Sequence, residues 1–139
     1  MQTFLPSPDF AASAAMLDPR RLGKQRVEAM QILRCLRGRS KGWRNHPAVR
    51  MWRGYEGALA LYKDAMIREW RRRGYRNTMR LSRVKGRPEM PPWLGYEAFH
   101  ASHRSNLLRK APDWYGGMGW SEKPGLPYVW PKGEPWPSV

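Results

Sequence analysis

Glu28 is the residue whose surroundings are richest in chemistry. Arg21, Lys24 and Gln31 stand at steps of three and four from it, so a helix through this stretch gathers all four on one face. A single carboxylate among cations stays ionised, because neighbouring positive charge favours its charged form. It repels a phosphate. Its chemistry is therefore to stabilise a developing cation or to accept a proton. The plainer alternative is a surface ion pair between Lys24 and Glu28, with Lys in the weaker leading position and worth only about 0.3 kcal/mol. The three histidines are His46, His100 and His103. The last two are one turn apart, which makes a three-histidine metal site conceivable; capping, packing or phosphate contact is the more ordinary use of each. Cys35 is the only cysteine, which excludes an intrachain disulfide framework and a cysteine-based zinc cluster.

Positioning Glu28 falls to helices. One helix is expected from Asp18 or Pro19 to Arg37, with Asp18 as N-cap, Pro19 in the first turn and Gly38 at the exit. Leu22, Ala29, Ile32, Leu33 and Leu36 form its apolar stripe. A shorter helix fits Pro8 to Leu17. The spacing of Trp52, Tyr55, Leu59, Tyr62, Met66 and Trp70 predicts a long helix from Pro47 to Arg73, ended by Gly74. Arg50, Arg53, Arg68, Arg71 and Arg72 fall largely off its apolar face. Residues 74–95 lack periodicity and read as a mobile loop. A last helix is expected from Tyr96 to Lys110, packing through Ala98, Ala101, Ser105 and Leu108. No segment reads as a strand, so the expected fold is all-α: one domain over 1–139, about three main helices, and a C-terminal strap rich in Pro, Gly and Trp. Trp114, Tyr115 and Trp120 in that strap are candidates for base stacking or for simple packing.

The 139 residues carry 26 Lys and Arg against 11 Asp and Glu, a net charge of +15. Residues 20–110 hold 24 of the basic and six of the acidic residues, so the excess lies on the helical body rather than on a tail. Such a field favours a polyanion. Eight Trp exclude a disordered basic tail. The absence of a long apolar run argues against a membrane span and an export signal, which fits an intracellular, cytoplasmic protein of a bacterial or phage-infected cell.

Four segments carry a family resemblance. LDPRRLGKQRVEAMQIL resembles the helix that bears the catalytic glutamate in the endonuclease V-type pyrimidine-dimer DNA glycosylases, small all-α repair enzymes of phages and bacteria. NHPAVRMW through IREWRRRGY is similar to their long central helix, HASHRSNLLRK to their final helix, and APDWY to the aromatic segment after it. Together these span most of residues 1–120; residues 121–139 have no counterpart. The sequence departs from the family at several places. Val27 stands where an Arg often precedes the glutamate, Arg21 replaces a histidine, and Arg104 aligns with a phosphate-contacting arginine only across a gap. Gln2 is too large for efficient removal of Met1.

The resemblance implies a glycosylase coupled to an abasic-site lyase that breaks the strand by β-elimination, acting on cyclobutane pyrimidine dimers or a related modified pyrimidine in duplex DNA. Its nucleophile is the α-amine at Met1 or Gln2, a group that titrates near ~7.7–8.0 in peptides and is partly neutral at neutral pH. Glu28 is the implied catalytic carboxylate. Arg21, Lys24, Arg26, Gln31, His46, Arg104, Asn106 and Lys110 are the expected DNA contacts, with Trp114 and Tyr115 on the lesion side. No cofactor or metal is expected, the partner is double-stranded DNA rather than a membrane, and the protein is expected to be a monomer. The alternatives are a non-catalytic damage-sensing or architectural DNA-binding protein, a histidine-metal nuclease, and a protein with an RNA partner.

Overall fold

The computed structural model describes residues 1–131. Six helices lie along them: α1 Phe10–Met16, α2 Pro19–Leu36, α3 Pro47–Arg50, α4 Glu56–Arg72, α5 Glu97–Lys110 and α6 Pro112–Tyr115, the last continued by a 3-10 turn at Gly116–Met118. No strand occurs among the described residues, and the fold is all-α. The part of the expected strap at 132–139 lies outside the described residues.

α2 starts as its sequence dictates. The Asp18 carboxylate accepts from the Arg21 amide, Pro19 occupies the first turn, and Gly38 leaves the helix at φ +75°. Its stripe of Leu22, Ala29, Ile32 and Leu33 is buried, and α2 packs on α4, whose Leu59, Tyr62 and Met66 are buried as well.

The long central helix is not continuous. The chain makes α3, turns through Met51–Tyr55, and restarts as α4. Gly54, at φ +87°, provides the left-handed residue at the break. Backbone bonds tighten there to a three-residue span, from Trp52 N to Val49 O and from Tyr55 N to Trp52 O. The break has a structural use. The Met51 carbonyl accepts from the Trp93 indole at 2.9 Å, and the Trp52 indole donates to Thr3 Oγ1 at 3.0 Å. Trp52, Trp93, Phe99 and Tyr62 are fully buried together at the centre.

Residues 74–95 form no helix, but they are tied to the body. Buried Asp64 accepts from the Ser82 amide through both oxygens, Lys63 Nζ donates to Arg80 O, and Arg26 donates to Asn77 Oδ1. Gly57 makes room for Pro88: a Cβ added there would meet Pro88 Cβ at 2.7 Å.

α5 corrects its expected packing face. Ala98 is exposed and Ala101 only half-buried, while His100, Ser102, His103, Ser105 and Asn106 are buried. A helix with a polar interior face needs polar partners. Those partners are two extended segments of backbone, described next.

Candidate active site

Residues 1–6 run through the interior without helix or strand partners. Their backbone groups must therefore be satisfied by side chains, because a buried unpaired amide or carbonyl costs about 1–3 kcal/mol. The Gln2 amide donates to Glu28 Oε2 at 3.1 Å, Thr3 N to Gln2 Oε1, Phe4 N to Gln25 Oε1 and Leu5 N to His103 Nδ1 at 2.8 Å. On the acceptor side, Gln2 O takes Gln25 Nε2, Leu5 O takes His100 Nδ1, and Pro6 O takes the Arg104 guanidinium. The Tyr62 hydroxyl lies 2.8 Å from Phe4 O and 2.6 Å from Gln25 Oε1. Every amide from Gln2 to Leu5 is thus held.

The imidazole roles follow from these bonds. His100 Nε2 accepts from Gly95 N, so its proton is on Nδ1, facing Leu5 O. His103 accepts at Nδ1 and is protonated at Nε2. Burial lowers both, His103 to about 3, with the neighbouring His100 adding to its shift. These rings hold backbone, and no group of three potential metal ligands exists among the described residues. The three-histidine nuclease loses its ligand set.

Glu28 lies at the end of this network. Its Oε2 accepts from Gln2 N and from Gln25 Nε2 at 3.2 Å, and no ion pair joins it to Lys24. The simple surface pair is thereby set aside. A cavity of about 450 Å³ opens beside it, lined by Met1, Gln2, Gln25 and Glu28 together with Arg20, Arg21, Lys24 and Lys110. The cations crowd one another: burial and then the charges of Arg109, Arg21 and Lys24 lower the Lys110 ammonium. Arg21 is balanced by Asp18 at 3.3 Å, but neither Lys24 nor Lys110 has an acidic partner among the described residues. His46 completes this part of the lining. It caps α3 by accepting from Ala48 N at Nδ1, and burial and the chain's terminal charge lower it, against the opposing pull of Glu28.

The expected site residues separate into two groups. Met1, Gln2, Arg21, Lys24, Glu28, His46 and Lys110 share the cavity. Gln31 instead lines a second cavity of about 440 Å³ with Val27 and Trp70, on the other flank of Glu28. Arg26 lies over the Trp70 ring at 4.3 Å. Arg104 is engaged with Glu97, Glu122 and Pro6 O, and Asn106 donates to Ser102 O and Leu126 O. Tyr115 is buried, bonded through its hydroxyl to Asp18 and stacked on Trp120 at 5.4 Å, so it lacks an open face for a base. The Trp114 indole donates to Met16 O. None of Arg26, Arg104, Asn106, Trp114 or Tyr115 lines the cavity beside Glu28.

Gln25, Arg20, Tyr128 and Trp130 also belong to that cavity and escaped sequence reasoning. Gln25 had a signal. It falls between Leu22 and Ala29 inside the apolar stripe, at helical spacing, so it is a polar residue at a core position and has to serve buried partners.

A family model for pyrimidine dimer DNA glycosylases matches residues 1–83, and the chain belongs to that family. Members are DNA glycosylases that act on damaged DNA. No curated protein and no solved structure matches the chain. Among the described residues no helix is long and apolar enough to cross a membrane.

Proposed function

We propose that this protein detaches a damaged pyrimidine from its deoxyribose in duplex DNA by attack of its chain-terminal amine and then cleaves the strand as an abasic-site lyase, acting as a monomer; in a dimer the detached base stays joined to its neighbour through the cyclobutane ring. The observation that carries the reading is the 3.1 Å bond from the residue-2 nitrogen to Glu28, in a cavity rimmed by cations. If Met1 is kept, its amine is the nucleophile, one residue from that bond and in the same cavity. If Met1 is removed, the Gln2 nitrogen becomes the amine.

In the reaction the amine forms a bond to C1′ as the bond from C1′ to the base breaks, and the base leaves with the electron pair and takes up a proton. The sugar ring then opens: O4′ leaves C1′ with its electron pair and takes up the proton that the amine nitrogen loses, which gives an iminium cation. Glu28, held by Gln25 and lacking a cationic partner, stabilises that charge and then accepts the C2′ proton. The electrons of the C2′–H bond expel the 3′ phosphate, which is β-elimination. Lys24 and Lys110 are placed to hold phosphates, and the duplex must bend to bring C1′ to Glu28.

Borohydride reduction during incubation with abasic duplex tests the reading. Wild-type protein is expected to form a covalent adduct, and Glu28→Gln to lose strand cleavage. Absence of both adduct and base release on dimer-containing duplex contradicts it and leaves a DNA-binding protein without catalysis.

A further inference from the structure

The cavity beside Glu28 has an aromatic component that comes from outside the matched residues. After α6 the chain returns along α5. The Ser105 hydroxyl donates to Lys123 O and accepts from Leu126 N, Asn106 donates to Leu126 O, and Val129 N donates to Ser102 Oγ. These bonds fix the strap's backbone so that Tyr128 and Trp130 line the cavity. The two rings lie 5.7 Å apart, and Trp130 meets His46 edge-on at 6.1 Å. Gln2, whose amide Glu28 holds, lines the same cavity as the two rings. Four other indoles, of Trp52, Trp70, Trp93 and Trp114, donate to protein acceptors; that of Trp130 has none among the described residues.

On the reading proposed above, a nucleotide in this cavity needs three things: cations for its phosphate, Glu28 at its C1′, and an apolar face for its base. Lys24 with Lys110 and Glu28 supply the first two. We propose that Tyr128 and Trp130 are the surface against which the pyrimidine rings of the lesion pack, making the strap the specificity-determining part of the site. A preformed abasic site gives them nothing to hold, because it has no ring to stack.

That distinction gives the test. Full-length wild type, Trp130→Ala, Trp130→Phe and Tyr128→Leu are compared on a duplex with one pyrimidine dimer and on the same duplex with a preformed abasic site. Trp130→Ala is expected to slow single-turnover base release at least about tenfold and to leave borohydride trapping on the abasic site within about twofold. Tyr128→Leu follows in the same direction, and Trp130→Phe restores most of the rate. An equal loss on both substrates assigns the strap a merely structural role and overturns the proposal, as does no loss on either. Binding supplies a readout that does not depend on turnover. The preference of Trp130→Ala for dimer-containing over undamaged duplex is expected to fall toward one. An unchanged preference overturns the stacking role even where the amine chemistry itself has failed.

Discussion

Residues 1–6 and the strap at 122–130 are both non-helical, and both use α5 to satisfy their backbone. His100, His103 and Arg104 serve the first; Ser102, Ser105 and Asn106 serve the second, with Arg104 also pairing with Glu122. They differ in how completely they are held. Gln2, Thr3, Phe4 and Leu5 are buried with every amide bonded, whereas Tyr128, Val129 and Trp130 are half-buried and bonded at intervals. The difference fits the proposed tasks. An amine that must meet a carbon beside Glu28 tolerates little displacement. A surface for stacking needs only to be present.

The largest expected effect is at Glu28. Glu28→Gln keeps the shape of the side chain and its contact with Gln2 N, but loses the charge and the base. Base release on dimer-containing duplex is expected to fall by about 10³-fold, while DNA affinity holds or rises because a negative charge has been removed from the cation rim. A rate within tenfold of wild type would move the chemistry elsewhere.

Next come the two sets of ties on α5, which test the comparison directly. His103→Ala leaves the buried Leu5 amide without its acceptor and is expected to cost about 3 kcal/mol of stability, with base release and abasic trapping lost together. Ser105→Ala removes the tie to Leu126 and is expected to cost about 1 kcal/mol, lowering base release but sparing trapping. Urea melts and the two activity assays separate them. Equal losses of trapping in both variants would erase the distinction between the two ends.

The N-terminal tie also has a pH signature. Burial holds His103 at about 3 and lowers His100, whereas an unfolded imidazole titrates near ~6.5. Between those values the unfolded chain binds more protons, so stability rises with pH. The contribution is complete above the unfolded value and is lost as pH falls from there toward the folded one, at about 1.4 kcal/mol per unit for His103. Melts at pH 7.5 and 5.5 measure it. His103→Gln can keep an acceptor for Leu5 N without titrating and is expected to reduce the difference between the two pH values by about 1 kcal/mol. No change would place the acid sensitivity at other groups.

Much of this was legible in the chain. The Asp18 cap, Pro19 and the stripe from Leu22 to Leu33 specify α2, and the charge pattern around Glu28 marks the site. The break at Gly54 was hidden because Trp52, Leu59, Tyr62 and Met66 keep helical spacing across it and are all buried. The strap was hidden for a different reason. Ser105 reads as a small residue for close helix packing, yet with Ser102 and Asn106 it bonds a segment some twenty residues away, and local periodicity carries no information about such a partner. Arg104 and Asn106 looked like DNA contacts for the same reason: a polar side chain has no visible partner until the chain has folded back on itself.

The smallest expected effect concerns the cation rim. Removing Lys24 or Lys110 is expected to weaken binding alike for damaged and undamaged duplex and to reduce the slope of log K against log salt by about 0.9. A change confined to the dimer-containing duplex would give these lysines a role in recognition instead.

The central claim is that the chain-terminal nitrogen, in the same cavity as Glu28, is the nucleophile. The direct measurement is to digest the borohydride-trapped adduct with abasic DNA and locate the modified residue by mass spectrometry. The account predicts the DNA remnant on the α-nitrogen of Met1, or of Gln2 where Met1 has been removed. A remnant on Lys24 or Lys110, the other amines that line the cavity, would contradict it.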